Sequence, residues 1–284
     1  MDIRKSYLIT GGTGFLGVKL TECLLQKGHH VIVIARNEGK LITLKEKFPS
    51  ITIVPGDISS KETVYRAVSG VDGIFHLAAF KHVGLAEEYQ LECINSNIIG
   101  TKNILECSLD NRKLEFIIGI STDKACQVNG VYGASKYIME HLFYAYEKLN
   151  SHVKYRLVRY GNVLYSTGSV LCKWKDKLSK GEEIIITDEN ITRFYWTVDE
   201  AIDLIFKCLE KSVSSKPYVP TMKSVLLKDL LDVMIEKYHP KDMPVKIKKI
   251  GIQRGENYHE KIEDNGKYSN EVEFHTREEL LTMI

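Results

Sequence analysis

The sequence predicts an α/β chain in which a doubly wound parallel sheet is followed by a smaller C-terminal lobe. In the first half, short β-branched runs alternate with longer helical patterns, the rhythm of βαβ units. The strand runs are continuously apolar rather than alternating, which suits a sheet covered by helices on both faces. A glycine-rich turn stands between the first such run and the first helical pattern.

In order, YLIT is the first strand, a helix starts near residue 15, and VIVIA, ITIVPGD, GIFHLAA and EFIIGIST are the next strands. YRLVRYGNV then extends the sheet. After about Gly168 the rhythm loosens into a helix near 170–178, a strand in EEIIIT, and helices near 199–209 and 227–238. No internal repeat or low-complexity stretch interrupts this order. The division expected is a nucleotide-binding domain over 1–167 and a substrate-binding lobe over 168–284, the lobe closing over the carboxyl ends of the strands, with room for segments that return to the first domain. A length of 284 residues accommodates this division.

Lysine plus arginine number 39 against 37 aspartates plus glutamates, so the net charge is only +2 and no footprint for nucleic acid or an anionic membrane stands out. The opening MDIRKSYLIT has no long apolar stretch, which reads as neither leader nor span and places the chain in the cytoplasm. Cys23, Cys93, Cys107, Cys126, Cys172 and Cys208 form no CxxC pair and have no histidine at ligand spacing, so they are expected to be reduced, mostly core residues, with no metal site. Cys126 falls inside the catalytic segment described below and is the one with a chance of reactivity.

In LITGGTGFLG, Gly11, Gly14 and Gly17 follow a strand and open a helix. In that context Gly11 permits the tight turn, Gly14 lets backbone approach a pyrophosphate closely, and Gly17 allows close helix packing. The fold expected is therefore Rossmann-like, with a bound dinucleotide. At the end of the second strand, where an acid would accept the adenosine ribose of NAD, stand Ala35, Arg36 and Asn37. A cation there suits a 2′-phosphate and favours NADP, although a solvated arginine would read the same way. Asp57 is placed to meet the adenine edge, and His76, Leu77, Ala78 and Ala79 the underside of the cofactor.

Tyr132 and Lys136 stand one helical turn apart in YGASKYIMEHLF, so both side chains leave one face. A nearby ammonium lowers the tyrosine pKa and lets the phenolate act as a base at neutral pH. Such a spacing also arises by chance on many helices; its weight comes from the upstream glycines and from Ser121 and Thr122 ending the preceding strand. Asp123 and Lys124 follow at once, and a neighbouring Asp-Lys pair at a strand end is often only a solvated ion pair. Lys81 and His82 follow the fourth strand and face either substrate and pyrophosphate or open solvent.

Together these motifs resemble the extended short-chain dehydrogenases. STDKACQVNGVYGASK, with KHVGLAE, NIIGTKNILE, VRYGNV, GSV, ITDENITRF and GENYHE, further resembles the inverting UDP-N-acetylglucosamine 4,6-dehydratases of polysaccharide biosynthesis, from Gly11 to about Glu260. Retaining dehydratases of the superfamily carry Asp-Glu where this chain has Asp123-Lys124. The resemblance implies that Tyr132 takes the proton of the sugar 4-hydroxyl, Thr122 bonds that oxygen and Lys136 holds the nicotinamide ribose. Lys124 then removes the carbon 5 proton and a protonated Asp123 donates to the departing 6-hydroxyl. It implies cofactor contacts at Gly11, Thr13, Gly14, Phe15, Leu16, Gly17, Arg36, Asp57, Ile58, Leu77, Ala78, Ala79, Lys81, Tyr132 and Lys136. For a UDP-sugar it implies Lys81, His82, Asn162, Ser169, Val170, Thr187, Arg193 and Glu256, and for the assembly a homo-oligomer, dimer or hexamer.

The sequence departs from the family at Thr167 and Gln253, where arginine is common, although Arg254 adjoins the second position. The loop after Lys81 and His82 also lacks the usual prolines. Two other readings share the scaffold. A nucleotide-sugar 4-epimerase or retaining dehydratase would use Tyr132 and Lys136 but leaves Asp123-Lys124 unexplained. A cofactor-binding regulatory protein would be marked by a damaged tyrosine, lysine or strand-end hydroxyl, and all three are intact.

Overall fold

The computed structural model describes residues 4–284, so the first three residues of the opening segment lie outside it. Strand β1 (Ser6–Thr10) leads into α1 (Phe15–Gln26), then β2 (His30–Ala35), α2 (Glu38–Lys47), β3 (Thr52–Pro55), α3 (Lys61–Val68) and β4 (Gly73–His76). Two short helices, α4 (Val83–Glu88) and α5 (Gln90–Ile94), pass through a π turn at Asn95–Ile99 into α6 (Gly100–Cys107). β5 (Phe116–Thr122), α7 (Val131–Leu149) and β6 (Lys154–Tyr160) complete the parallel sheet, whose order is β3-β2-β1-β4-β5-β6. This order reverses direction between β1 and β4, and ligands of such sheets bind in the crevice at that switch point, beyond the carboxyl ends of the strands.

Both faces of the sheet are buried, as its apolar strands require. One face packs Leu8, Ile74, Ile117 and Leu157 under Ile104 and Phe143. The other packs Ile9, Val33, Phe75, Ile118 and Val158 under Leu20 and Leu24.

The lobe is built from β7 (Asn162–Val163), α8 (Val170–Ser179), β8 (Ile184–Ile186), β9 (Thr192–Trp196), α9 (Val198–Lys211), β10 (Ser224–Leu226), α10 (Leu227–Tyr238), β11 (Ile247–Lys249) and α11 (Arg277–Met283). Its own core gathers Leu171, Trp174, Ile184, Ile191, Leu230, Met234 and Leu280. Helix α9 belongs to the other core: Ala201, Ile202, Ile205 and Cys208 pack with Leu20, Leu24 and Val158 of the large sheet.

YRLVRYGNV divides where the sequence reads one strand. β6 stays in the large sheet, whereas β7 pairs with β9 in the three-stranded sheet of the lobe. The break falls at Gly161, where a Cβ would lie 2.4 Å from the carbonyl oxygen of Phe194. The backbone crosses from one sheet to the other at a point only glycine fits. Among the described residues no helix is long and apolar enough to cross a membrane, and all six cysteines are unpaired.

Candidate active site

The turn after β1 is shaped by glycines. Gly11 has φ +67°, and a Cβ there would lie 2.8 Å from the Cα and N of Ala78. At Gly17 a Cβ would lie 2.5 Å from the Cα of Gly12, so α1 sits directly on the turn. Gly12, which the sequence reading passed over, is equally constrained, since its Cβ would lie 2.6 Å from Val33. The doubled glycine was its signal. Gly14 caps α1 in extended conformation without a side-chain hydrogen bond, leaving the first N–H groups of the helix to an anion. A turn this free of side chains, opening onto an uncapped helix, fits the pyrophosphate of a dinucleotide. Thr13, Phe15 and Leu16 are partly accessible around it.

At the tip of β2, Asn37 accepts from the Lys40 amide and caps α2, while Arg36 stays 65% exposed with Nη1 3.7 Å from Asp57 Oδ2. Asp57 Oδ1 also accepts from the Ser59 amide. Ile58 is buried against Gly100, so its side chain serves the core, and its carbonyl accepts from the Asn103 side chain at 3.0 Å. His76 does not reach the crevice. It is pinned between Thr10 Oγ1 (2.8 Å) and Thr101 Oγ1 (2.9 Å), and burial pushes its pKa down to about 3. Leu77, Ala78 and Ala79 are half-buried beyond it, with the Ala78 amide donating to Thr10 Oγ1.

The carboxyl end of β5 carries the reactive cluster. Thr122 Oγ1 donates to Asp123 Oδ1 (2.8 Å), and Lys124 Nζ donates to the same oxygen (3.1 Å). Asp123 is fully buried, yet its Oδ2 has no hydrogen-bond partner. Helix α7 packs onto this turn so closely that a Cβ at Gly133 would lie 2.5 Å from the Lys124 carbonyl oxygen. Its first turn is anchored by Glu87 Oε1, which accepts from the Val131 amide. Burial pushes the Tyr132 phenol up to about 12, against the pull of Lys124 and a hydrogen bond with Thr122. Lys136 is buried, donates to the Ile120 carbonyl at 2.6 Å, and is pushed down to about 8 by burial with Glu140 opposing. In this structure the ammonium acting on Tyr132 is thus that of Lys124.

Lys124 is itself held charged. Burial works against its ammonium, but Asp123 and Glu260 outweigh burial and raise its pKa. Glu260 is fully buried with Oε1 3.4 Å from Lys124 Nζ and 3.9 Å from Arg193 Nε. Glu260 was missed by the sequence reading, which used GENYHE only as a motif and gave its last acid no role.

Arg193 donates to the carbonyls of Thr192 and Tyr258. Asn162 is half-buried on β7, hydrogen-bonded to the buried Tyr195, and Glu256 Oε2 is buried without a partner. Lys81, His82 and the start of α8 meet at one rim. Lys81 Nζ donates to the Thr167 carbonyl at 2.9 Å, and His82 lies 3.2 Å from a Cβ position at Gly168. Ser169 caps α8 and Val170 begins it. Thr187 is half-buried with its carbonyl accepting from the Gly251 amide. Arg254, next to Gln253, is 86% exposed and pairs with Glu87 at 3.3 Å.

The chain matches the profile of a family described as polysaccharide biosynthesis protein over residues 7–280. It is 36% identical over 91% of its length to an uncharacterized membrane protein of Methanocaldococcus jannaschii, 80% of which is covered. To a UDP-N-acetylglucosamine 4,6-dehydratase (inverting) of Campylobacter jejuni it is 34% identical, covering 90% of this chain and 77% of that one. A UDP-glucose 4-epimerase of Rickettsia rickettsii is 30% identical over 92% of this chain and 78% of its own. Among solved structures, Pen from Bacillus thuringiensis superposes with a TM-score of 0.87 at 31% identity, covering 93% of this chain and 85% of that one.

Proposed function

The chain belongs to the polysaccharide biosynthesis protein family, and from that premise we propose that it is an NADP-dependent UDP-N-acetylglucosamine 4,6-dehydratase that inverts carbon 5. The observation that carries the reading is the buried Asp123-Lys124 pair beside Tyr132, with Asp123 Oδ2 left without a donor. An epimerase has no step that needs this pair, whereas an elimination needs an acid and a base side by side.

A bound nicotinamide supplies the hydride acceptor at the start of the cycle and the donor at its end. Tyr132 must first ionise, which the Lys124 ammonium and the Thr122 hydrogen bond favour against burial; its phenolate then takes the proton of the 4-hydroxyl, with Thr122 bonding the same oxygen. Transfer of a proton from Lys124 Nζ to Asp123, 3.1 Å apart, makes the base and the acid in one step. The neutral pair costs less here than in water, because the carboxylate and ammonium are already almost out of solvent. Lys124 takes the carbon 5 proton, Asp123 protonates the 6-hydroxyl, and water leaves. Lys124 then returns a proton to the opposite face of a repositioned ring.

Arg36 supports NADP, being exposed and tied to Asp57 only by a loose pair of small energetic weight. Arg36→Ala is expected to narrow the preference for NADP over NAD by roughly tenfold, about 1.4 kcal/mol. Unchanged discrimination in a cofactor titration contradicts the assignment. The unpaired cysteines support a reducing, cytoplasmic setting. Exposed Leu91, Ile94, Tyr137 and Ile138 on neighbouring helices support a homo-oligomer.

The Rickettsia relative favours a second reading, a UDP-sugar 4-epimerase. Incubating the protein with NADP and UDP-N-acetylglucosamine and following the sugar by NMR separates the two. A 4-keto-6-deoxy product supports the dehydratase; the 4-epimer with carbon 6 still hydroxylated rejects it.

A further inference from the structure

We propose that Glu260 is a positioning residue for Lys124: it fixes Nζ between two carboxylates and supplies the counter-charge for the ammonium formed when Lys124 takes up a proton. The proposal rests on the reading of Lys124 as the base of the elimination.

Glu260 reaches the site from the C-terminal segment, far in sequence from β5, and its backbone is held in place. Its amide donates to Ser269 Oγ (2.9 Å), which in turn bonds Thr192 Oγ1 (2.6 Å) at the start of β9. Asn257 donates to Oε2 at 3.3 Å, leaving Oε1 with no hydrogen-bond donor and aimed at Lys124 Nζ. A fully buried carboxylate with one such oxygen costs stability unless a charge opposite it makes use of it. The groups facing it are Lys124 and Asp123 from the end of β5 and Arg193 from β9, with Tyr132 and Tyr195 facing Lys124 in turn.

Two carboxylates on one ammonium do different things here. Asp123 shares a proton with Lys124 and loses it to the leaving group. Glu260 keeps its charge throughout, so it stabilises Lys124 each time the ammonium forms, as the buried acid of a catalytic triad does for its histidine. Its negative charge also raises the pH at which Lys124 titrates, and burial raises the pKa of Glu260 itself.

Glu260→Gln removes the charge at constant shape, and Glu260→Asp keeps the charge but shortens the reach by one methylene. In the NADP-loaded full chain, the Lys124 Nζ titration is read by NMR and the pH profile of elimination from UDP-N-acetylglucosamine by product formation. Glu260→Gln is expected to lower the titration of Lys124 by about one pH unit or more, with the alkaline limb of the rate profile, where the Asp123-Lys124 pair loses its shared proton, moving down alongside it. Its plateau rate should fall at least about tenfold, short of the 10²–10⁴ expected for losing the base itself. Glu260→Asp should keep the titration near wild type but lose rate, and it preserves the test if the glutamine variant fails to fold. A wild-type titration and alkaline limb in Glu260→Gln, or a wild-type rate in Glu260→Asp, overturns the proposal. If the wild type performs no elimination, the functional reading fails, and the Lys124 titration still decides whether Glu260 controls its charge.

Discussion

Tyr132 combines reactivity with restraint. In the free chain its phenol is held protonated by burial, and only Lys124 and Thr122 pull the other way. Tyr132→Phe removes the oxygen that the substrate hydroxyl must meet and leaves the ring in its packing. Turnover is expected to fall by roughly 10²–10⁴ while NADP affinity changes little, as measured by steady-state kinetics and cofactor titration. Turnover at the wild-type level contradicts the base role. Tyr132, Lys136, Asp123 and Lys124 were legible because their spacing is local and one helix face or one strand end carries them. What was not legible was the pairing of charges. The sequence places Lys136 one turn from Tyr132, yet the structure turns Lys136 to the Ile120 carbonyl and sets Lys124 against the phenol. Glu260 lies 136 positions beyond Lys124, and no local pattern announces a contact that only the folded lobe makes.

Among the elements, β1, β4 and α6 are joined by one imidazole. His76 spans Thr10 and Thr101, and burial drives its pKa from 6.5 to about 3. Between those values the unfolded chain binds a proton that the folded chain does not. The contribution of His76 to stability is therefore complete above about pH 6.5 and falls by about 1.4 kcal/mol for each pH unit of acidification below it, down to about pH 3. His76→Gln keeps the ability to hydrogen-bond and removes the titration, so its urea midpoint should vary less between pH 7 and 5.5 than that of the wild type. Equal slopes would show that other groups govern acid sensitivity. The parallel, doubly covered sheet was legible in the continuously apolar runs alternating with helical patterns, which the sequence displays. The split of YRLVRYGNV at Gly161 was not, because its cause is the Phe194 carbonyl of a strand further along the chain.

The two cores of the large sheet and the core of the lobe are tied together around the site. Arg159 of β6 makes a two-point pair with Glu140 of α7, at 2.9 and 2.7 Å, and donates to the Ile262 carbonyl at 3.0 Å beside Glu260. Ser121 donates to the same Glu140 carboxylate. Glu140→Gln leaves a buried guanidinium with only the exposed Asp264, 3.8 Å away, as counter-charge, so it should lower unfolding free energy by roughly 3–5 kcal/mol in urea titration. A loss below about 1 kcal/mol, the range of surface pairs, would mean that the pair does not hold α7 to β6.

The central claim is inversion through Lys124, and it is tested most directly at carbon 5 of the sugar in heavy water. The measurement is the NMR spectrum of the product formed from UDP-N-acetylglucosamine by the wild type and by Lys124→Ala. The wild type should give a 4-keto-6-deoxy product with deuterium at carbon 5 and L configuration there. The alanine variant should stop before elimination while still reducing NADP transiently. A product that keeps the D configuration throughout, or an alanine variant with normal turnover, contradicts the account.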